Sequence, residues 1–150
     1  SDVTFGNLEG SFLDNGEPVK KCKDTTICYL FRMPERYAGA LATAGFDMLS
    51  IANNHFGDFG YQSRVTTKRL LDSSGISYAG LTENPYAIFE KDSVRYGFCA
   101  FAPNAGTVNI NDYKKAEAIV SVCRLNRNLI LVTDEKTAKR IIEEFKEEMQ

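Results

Sequence analysis

Short apolar runs, each closed by a glycine or a polar loop and separated by helix-like stretches, recur along the first hundred residues. Val3 to Phe5 is strand-like and stops at Gly6, and residues 10 to 27 are polar and read as a loop. Pro34 suits the first turn of a helix, where its missing N–H costs nothing. Tyr37, Leu41 and Ala44 then share a face, and Gly45 supplies the stop. Phe46 to Ala52 is a second strand, Gln62 to Ser74 a helix with Leu70 and Leu71 inward, and Ile76 to Ala79 a third strand. Ala87 to Phe89 and Val94 to Phe101 are two more, the latter placing Val94, Tyr96, Phe98 and Ala100 on one face. Residues 103 to 112 are a loop, Ala116 to Val122 helical, and Leu129 to Val132 a strand. From Asp134 the positions Ala138, Ile141, Ile142, Phe145 and Met149 follow helical spacing, with Lys and Glu on the solvated face. Such alternation predicts an α/β fold: a mainly parallel sheet with helices packed on it.

The 150 residues suit one domain spanning 1–150 and suffice to bury a core. A net charge of −2 and the lack of a basic stripe argue against a nucleic-acid partner. No apolar run approaches the roughly 20 residues that span a bilayer. The first residue is Ser, directly ahead of a strand, so the expectation is a cut chain whose upstream residues held a targeting signal or part of a site. Of four cysteines none forms a CxxC pair, which argues against structural zinc. Cys22 and Cys28 lie close enough to close a small ring, either as the disulfide of an exported protein or as two free thiols. Cys99 reads as a small strand hydrophobe.

Two polar clusters follow strands: Gly6-Asn7-Leu8-Glu9-Gly10, and Asn53-Asn54-His55 with Phe56-Gly57-Asp58-Phe59-Gly60 behind it. In open α/β sheets sites gather at the carboxyl ends of strands. Were these two strands parallel neighbours, Asn7, Glu9, Asn54 and His55 would share one edge. Amide and carboxylate oxygens with an imidazole suit Mn, Fe, Zn or Mg. Such an ion would polarise a phosphoryl or acyl oxygen, and His55 would stabilise charge or donate a proton. The plainer alternative is turn chemistry: Asn bonds its own backbone and tolerates left-handed conformations. On that reading Asp58 caps a turn or helix and Glu9 is a solvated acid. No phosphate-binding glycine loop and no nucleophile-elbow serine occurs.

Asp2-Val3-Thr4-Phe5-Gly6-Asn7-Leu8-Glu9, Phe31-Arg32-Met33-Pro34, Ala44-Gly45-Phe46-Asp47, Ser50-Ile51-Ala52-Asn53-Asn54-His55 and Asp58-Phe59-Gly60 occur in this order. With Leu71-Asp72-Ser73-Ser74-Gly75-Ile76 and Ala79-Gly80, they resemble the CapA family of poly-γ-glutamate capsule biosynthesis, of the metallophosphatase-like superfamily. The resemblance covers about the first 120 residues. It implies a metallophosphatase-like layered sheet with flanking helices, and an extracytoplasmic, membrane-associated or secreted protein of the cell envelope. It implies a metal-dependent phosphoesterase-like hydrolase, with an anionic polymer or phosphoester as substrate. By the superfamily's Gly-Asn-His motif, Asn54 falls on a metal and His55 beside the scissile group; Asn7 and Glu9 fall in the earlier acidic region, and Asn53 and Asp58 flank. Two departures stand against this. The superfamily's first metal-binding Asp would precede Ser1, and no His follows His55. The expectation is therefore an incomplete metal site and an incomplete sandwich, prone to pair with a second copy through a sheet edge. The alternative is a non-catalytic polymer- or partner-binding domain, or an inactive truncated fragment that keeps the fold.

Overall fold

A computed structural model describes residues 3–109. Its centre is a parallel sheet of three short strands, β1 (Phe5–Asn7), β4 (Met48–Ser50) and β5 (Ser77–Ala79), in the order β1-β4-β5. Between β1 and β4 the chain forms a second parallel pair, β2 (Ser11–Phe12) with β3 (Arg32–Met33), and helix α1 (Ala38–Thr43). Helix α2 (Gly60–Ser73) joins β4 to β5, and β6 (Tyr86–Lys91) and β7 (Val94–Cys99) form an antiparallel hairpin. The fold is therefore mixed α/β with a parallel centre. The expected helix at residues 116–122, the strand at 129–132 and the terminal helix from Asp134 lie outside the described residues.

The register fixes the geometry of the sheet's edge. Phe5 faces Met48, Asn7 faces Ser50, and Ser50 faces Ala79. All three strands thus end at one level. Two hydrogen bonds carry the alignment past the strand ends, Leu8 N to Ser50 O at 2.9 Å and Ile51 N to Ala79 O at 3.0 Å. Gly80 lets the exits of β4 and β5 close up: its φ is +126°, and a Cβ there would fall 2.7 Å from the Ala52 nitrogen.

The core lies beneath this edge. Leu8, Phe12, Leu49, Ile51, Phe56 and Leu71 are buried together, Leu70 packing on them from α2. Leu70 and Leu71 therefore face inward as expected. The stretch at 10–27 departs from a plain loop. Phe12 is fully buried and its N–H donates to Thr67 Oγ1 of α2 at 2.8 Å. A two-residue strand is too short to show alternation, so its burial is set by the helix it meets rather than by local pattern. The face expected of Tyr37, Leu41 and Ala44 is also redrawn: Tyr37 and Ala44 are exposed, while Ala38 is buried and Leu41 packs on the core. The reason is a 3-10 turn at Glu35–Tyr37 ahead of α1, which shifts the helical phase.

Asp47 ties the sheet to the hairpin. Its Oδ2 accepts from Thr4 N at 2.7 Å, and Lys91 Nζ of β6 donates to its Oδ1 at 2.8 Å. Those hydrogen bonds, Lys91's first, hold the Asp47 carboxyl below its usual range.

Candidate functional site

The two polar clusters do meet, because β1 and β4 are parallel neighbours. Asn53 makes the join. Its Nδ2 donates to Leu8 O at 2.8 Å, across to the first loop. Its Oδ1 accepts from His55 N at 3.0 Å and Phe56 N at 2.8 Å, which turns the chain back on itself. Asn53 is thus both a turn residue and the clamp between the loops.

That turn delivers His55 to a largely buried position against Asp58. His55 Nδ1 lies 2.7 Å from Asp58 Oδ2, and Asp58 is 1% exposed. An ionised carboxylate only accepts hydrogen bonds, so Asp58 fixes a proton on Nδ1, and in the neutral ring Nε2 presents the lone pair. Lys20 Nζ stands 3.1 Å from Asp58 Oδ1 and 3.3 Å from Nδ1. With Nδ1 donating to Asp58, the Lys20–Nδ1 approach is proximity of two donors to one acceptor. The Lys20–Oδ1 contact is ionic and not aligned as a hydrogen bond, since Oδ1 accepts none. Phe31 completes the clamp: its N–H donates to Asp58 Oδ2 at 3.0 Å, and its ring stacks on the imidazole with centroids 4.0 Å apart. Asp58 does not cap α2, whose N-terminal neighbour Phe59 receives no side-chain cap. Its side chain is spent on His55, Lys20 and Phe31 instead.

The free nitrogen faces the other loop. His55 Nε2 is 3.9 Å from Glu9 Oε1, too far for a hydrogen bond and near enough for both atoms to hold one third atom. Two ligands of a tetrahedral zinc, each about 2.1 Å from it, sit about 3.4 Å apart, so the pair is a few tenths of an ångström too wide. Asn7 and Asn54 are exposed on the same edge, and neither bonds to His55. Among the described residues no group of three His, Cys, Asp or Glu side chains stands ready for a metal. Among the described residues, His55 Nε2 and Glu9 Oε1 are the two donors that approach each other across this edge.

Lys20 and Phe31 were not legible as site residues. They reach Asp58 from two limbs stapled by the Cys22–Cys28 disulfide, whose Cα atoms are 5.8 Å apart. The lysine also donates to Tyr29 O at 3.2 Å, across the mouth of that ring. Only the spacing of the cysteines hinted that the limbs lie side by side.

Two proteins of Sinorhizobium fredii, the uncharacterized proteins y4sH and y4uA, are each 38% identical over 88 residues, 56% of this chain and 18% of theirs. The match thus spans less than a fifth of the length of these relatives. No helix among the described residues is long and apolar enough to cross a membrane. The family model described as bacterial capsule synthesis protein PGA_cap matches residues 1–149, and the chain belongs to that family.

Proposed function

We propose that this chain carries the working edge of a cell-envelope protein of capsule-polymer synthesis, of poly-γ-glutamate type, and that His55 is its reactive side chain. The observation behind this is the fixed imidazole: Asp58 at 2.7 Å holds Nδ1, so Nε2 faces Glu9 as the free nitrogen. In this reading Nε2 takes or gives a proton at a phosphoester or acyl linkage. Asp58, Lys20 and Phe31 hold the ring in one orientation, and Glu9 bounds the other side of the reacting group. The domain is then a metallophosphatase-like layered unit over 1–150, acting on an anionic polymer or a phosphoester outside the cytoplasm, with membrane association supplied from beyond these residues.

A divalent ion, Mn, Zn, Fe or Mg, belongs to the proposal as a partner of His55 Nε2 and Glu9, with Asn7 and Asn54 as further oxygen donors. Such an ion would polarise a phosphoryl oxygen and acidify a bound water. The second reading, a polymer-binding domain without catalysis, draws on the absence, among the described residues, of a group of three His, Cys, Asp or Glu side chains. The two readings separate in one experiment. Metal content after exposure to Mn²⁺ or Zn²⁺ is measured beside phosphodiester hydrolysis by the wild type and His55→Ala. Stoichiometric metal and activity lost on substitution support the hydrolase. Polymer binding with neither metal nor turnover leaves the binding domain.

A further inference from the structure

Among the described residues, Arg64 is the one guanidinium group whose Nε is buried without a partner. Arg32 donates to Gly16 O, and Arg69 pairs with Glu35. Arg64 makes no hydrogen bond or ion pair among the described residues, and its Nε is buried without a partner. A buried N–H left unmade is costly, and a charged one more so. Such a group in a folded protein calls for an acceptor.

Its surroundings are built for close approach. A Cβ at Gly57 would fall 2.7 Å from Arg64 Nη2, and one at Gly106 would fall 2.8 Å from Nη1. The guanidinium is therefore seated between two backbone segments whose missing Cβ atoms leave room for this close approach. Gly57 lies two residues beyond His55, in the loop that follows β4. Gly106 belongs to the loop after β7, tied to the exit of β5 by Thr82 N to Gly106 O at 3.2 Å. Lys68, one turn further along α2, is already spoken for: it donates to Asn84 Oδ1 at 2.9 Å and lies 3.7 Å from Glu83. Among the described residues no carboxylate pairs with Arg64. The residue as a whole is only partly buried.

We propose that Arg64 is an oxyanion-binding residue, which takes a carboxylate or phosphate group on a guanidinium seated between Gly57 and Gly106. A planar fork of N–H donors matches either group in bidentate fashion, and a two-glycine seat removes the freedom such a side chain would otherwise lose on binding. The proposal stands on Arg64 and its seat, whether or not His55 performs chemistry.

The test is an NMR titration of the 150-residue chain with inorganic phosphate and, separately, with succinate. The backbone amides of Gly57 and Gly106 and the arginine Nε–H signals are followed. Saturable shifts at these positions are expected with at least one probe, and the tighter probe identifies phosphate or carboxylate as the source. Arg64→Gln should weaken binding about tenfold or more, since it removes charge-assisted bonds. Arg64→Lys should retain a weakened, salt-sensitive remnant, because it keeps the charge without the fork. Gly57→Ala should weaken binding by crowding Nη2, and serves where Arg64→Gln fails to fold. His55→Ala should bind as the wild type does, which keeps this result separate from the fate of the hydrolase reading. No saturable shift with either probe, or folded Arg64 and Gly57 variants that bind as the wild type does, would overturn the proposal.

Discussion

Asp58 Oδ2 sits 2.7 Å from His55 Nδ1 while the same oxygen accepts from Phe31 N at 3.0 Å. One buried carboxylate therefore holds both the His55 ring and the limb stacked on it. Asp58→Ala leaves the Phe31 N–H and the buried His55 imidazole without acceptors and strips Lys20 of its counter-charge. We expect a loss of about 2–4 kcal/mol, the range for removing one member of a buried charged network. Guanidinium unfolding checks this, and a loss under about 0.5 kcal/mol, as for a surface substitution, would contradict it.

Asn53 makes three hydrogen bonds, to Leu8 O, His55 N and Phe56 N. Asn53→Ala breaks all three and unpins the loops from each other. The expected loss is about 2–3 kcal/mol at roughly 1 kcal/mol per bond. Asn54→Ala, at an exposed neighbour, should cost less than about 0.5 kcal/mol. Equal losses at the two positions would mean that Asn53 is not the clamp.

The Cys22–Cys28 ring closes a separation of 6 residues. Chain-entropy reasoning gives such a short ring about 2 kcal/mol. Replacing both cysteines by serine should lower stability by about that amount, read from denaturant midpoints at constant m. Amide exchange at Tyr29 and Phe31 should quicken more than exchange in α2, since the staple holds their limb. Uniform quickening would show that the ring does not act locally.

Two groups set an expected pH profile. The Asp47 carboxyl is lowered, first by its hydrogen bond from Lys91 and then by that from Thr4. Its contribution is present above the unfolded value of about 3.9 and fades as pH falls through the lower folded value. Tyr78 is pushed up to about 12, first by burial and then by the charge of Asp72. The folded state then holds a proton that the unfolded chain releases near 10, so stability should fall between pH 10 and about 12. Melting temperatures across pH, with Asp47→Asn and Tyr78→Phe as controls, read both limbs. If Tyr78→Phe leaves the alkaline limb unchanged, its source lies elsewhere.

Much of the centre was legible because apolar runs, glycine stops and helical spacing agree with one another there. The strands ending near Asn7, Ser50 and Ala79, the helix with Leu71 inward and the two strands β6 and β7 all fell within a few residues of their places, though not the antiparallel pairing of the last two. The meeting of Glu9 with His55 followed from putting those strands side by side. What escaped was long-range. Phe12 is buried by Thr67, 55 residues away, and Lys20 and Phe31 reach Asp58 from 38 and 27 residues away. Local pattern holds no trace of such pairings. Asp58 looked like a turn or capping residue for the same reason: its partners come from a stretch that read only as loop.

The orientation of His55 is the centre of this account, and the chain contains a single histidine. Long-range proton–nitrogen correlation of imidazole-labelled protein therefore reads the ring without assignment. At a pH well above the ordinary histidine value of about 6.5, a proton on Nδ1 and a bare nitrogen at Nε2 are expected, with that pattern lost in Asp58→Ala. A proton on Nε2 with bare Nδ1, or a pattern unaffected by removing Asp58, would contradict it.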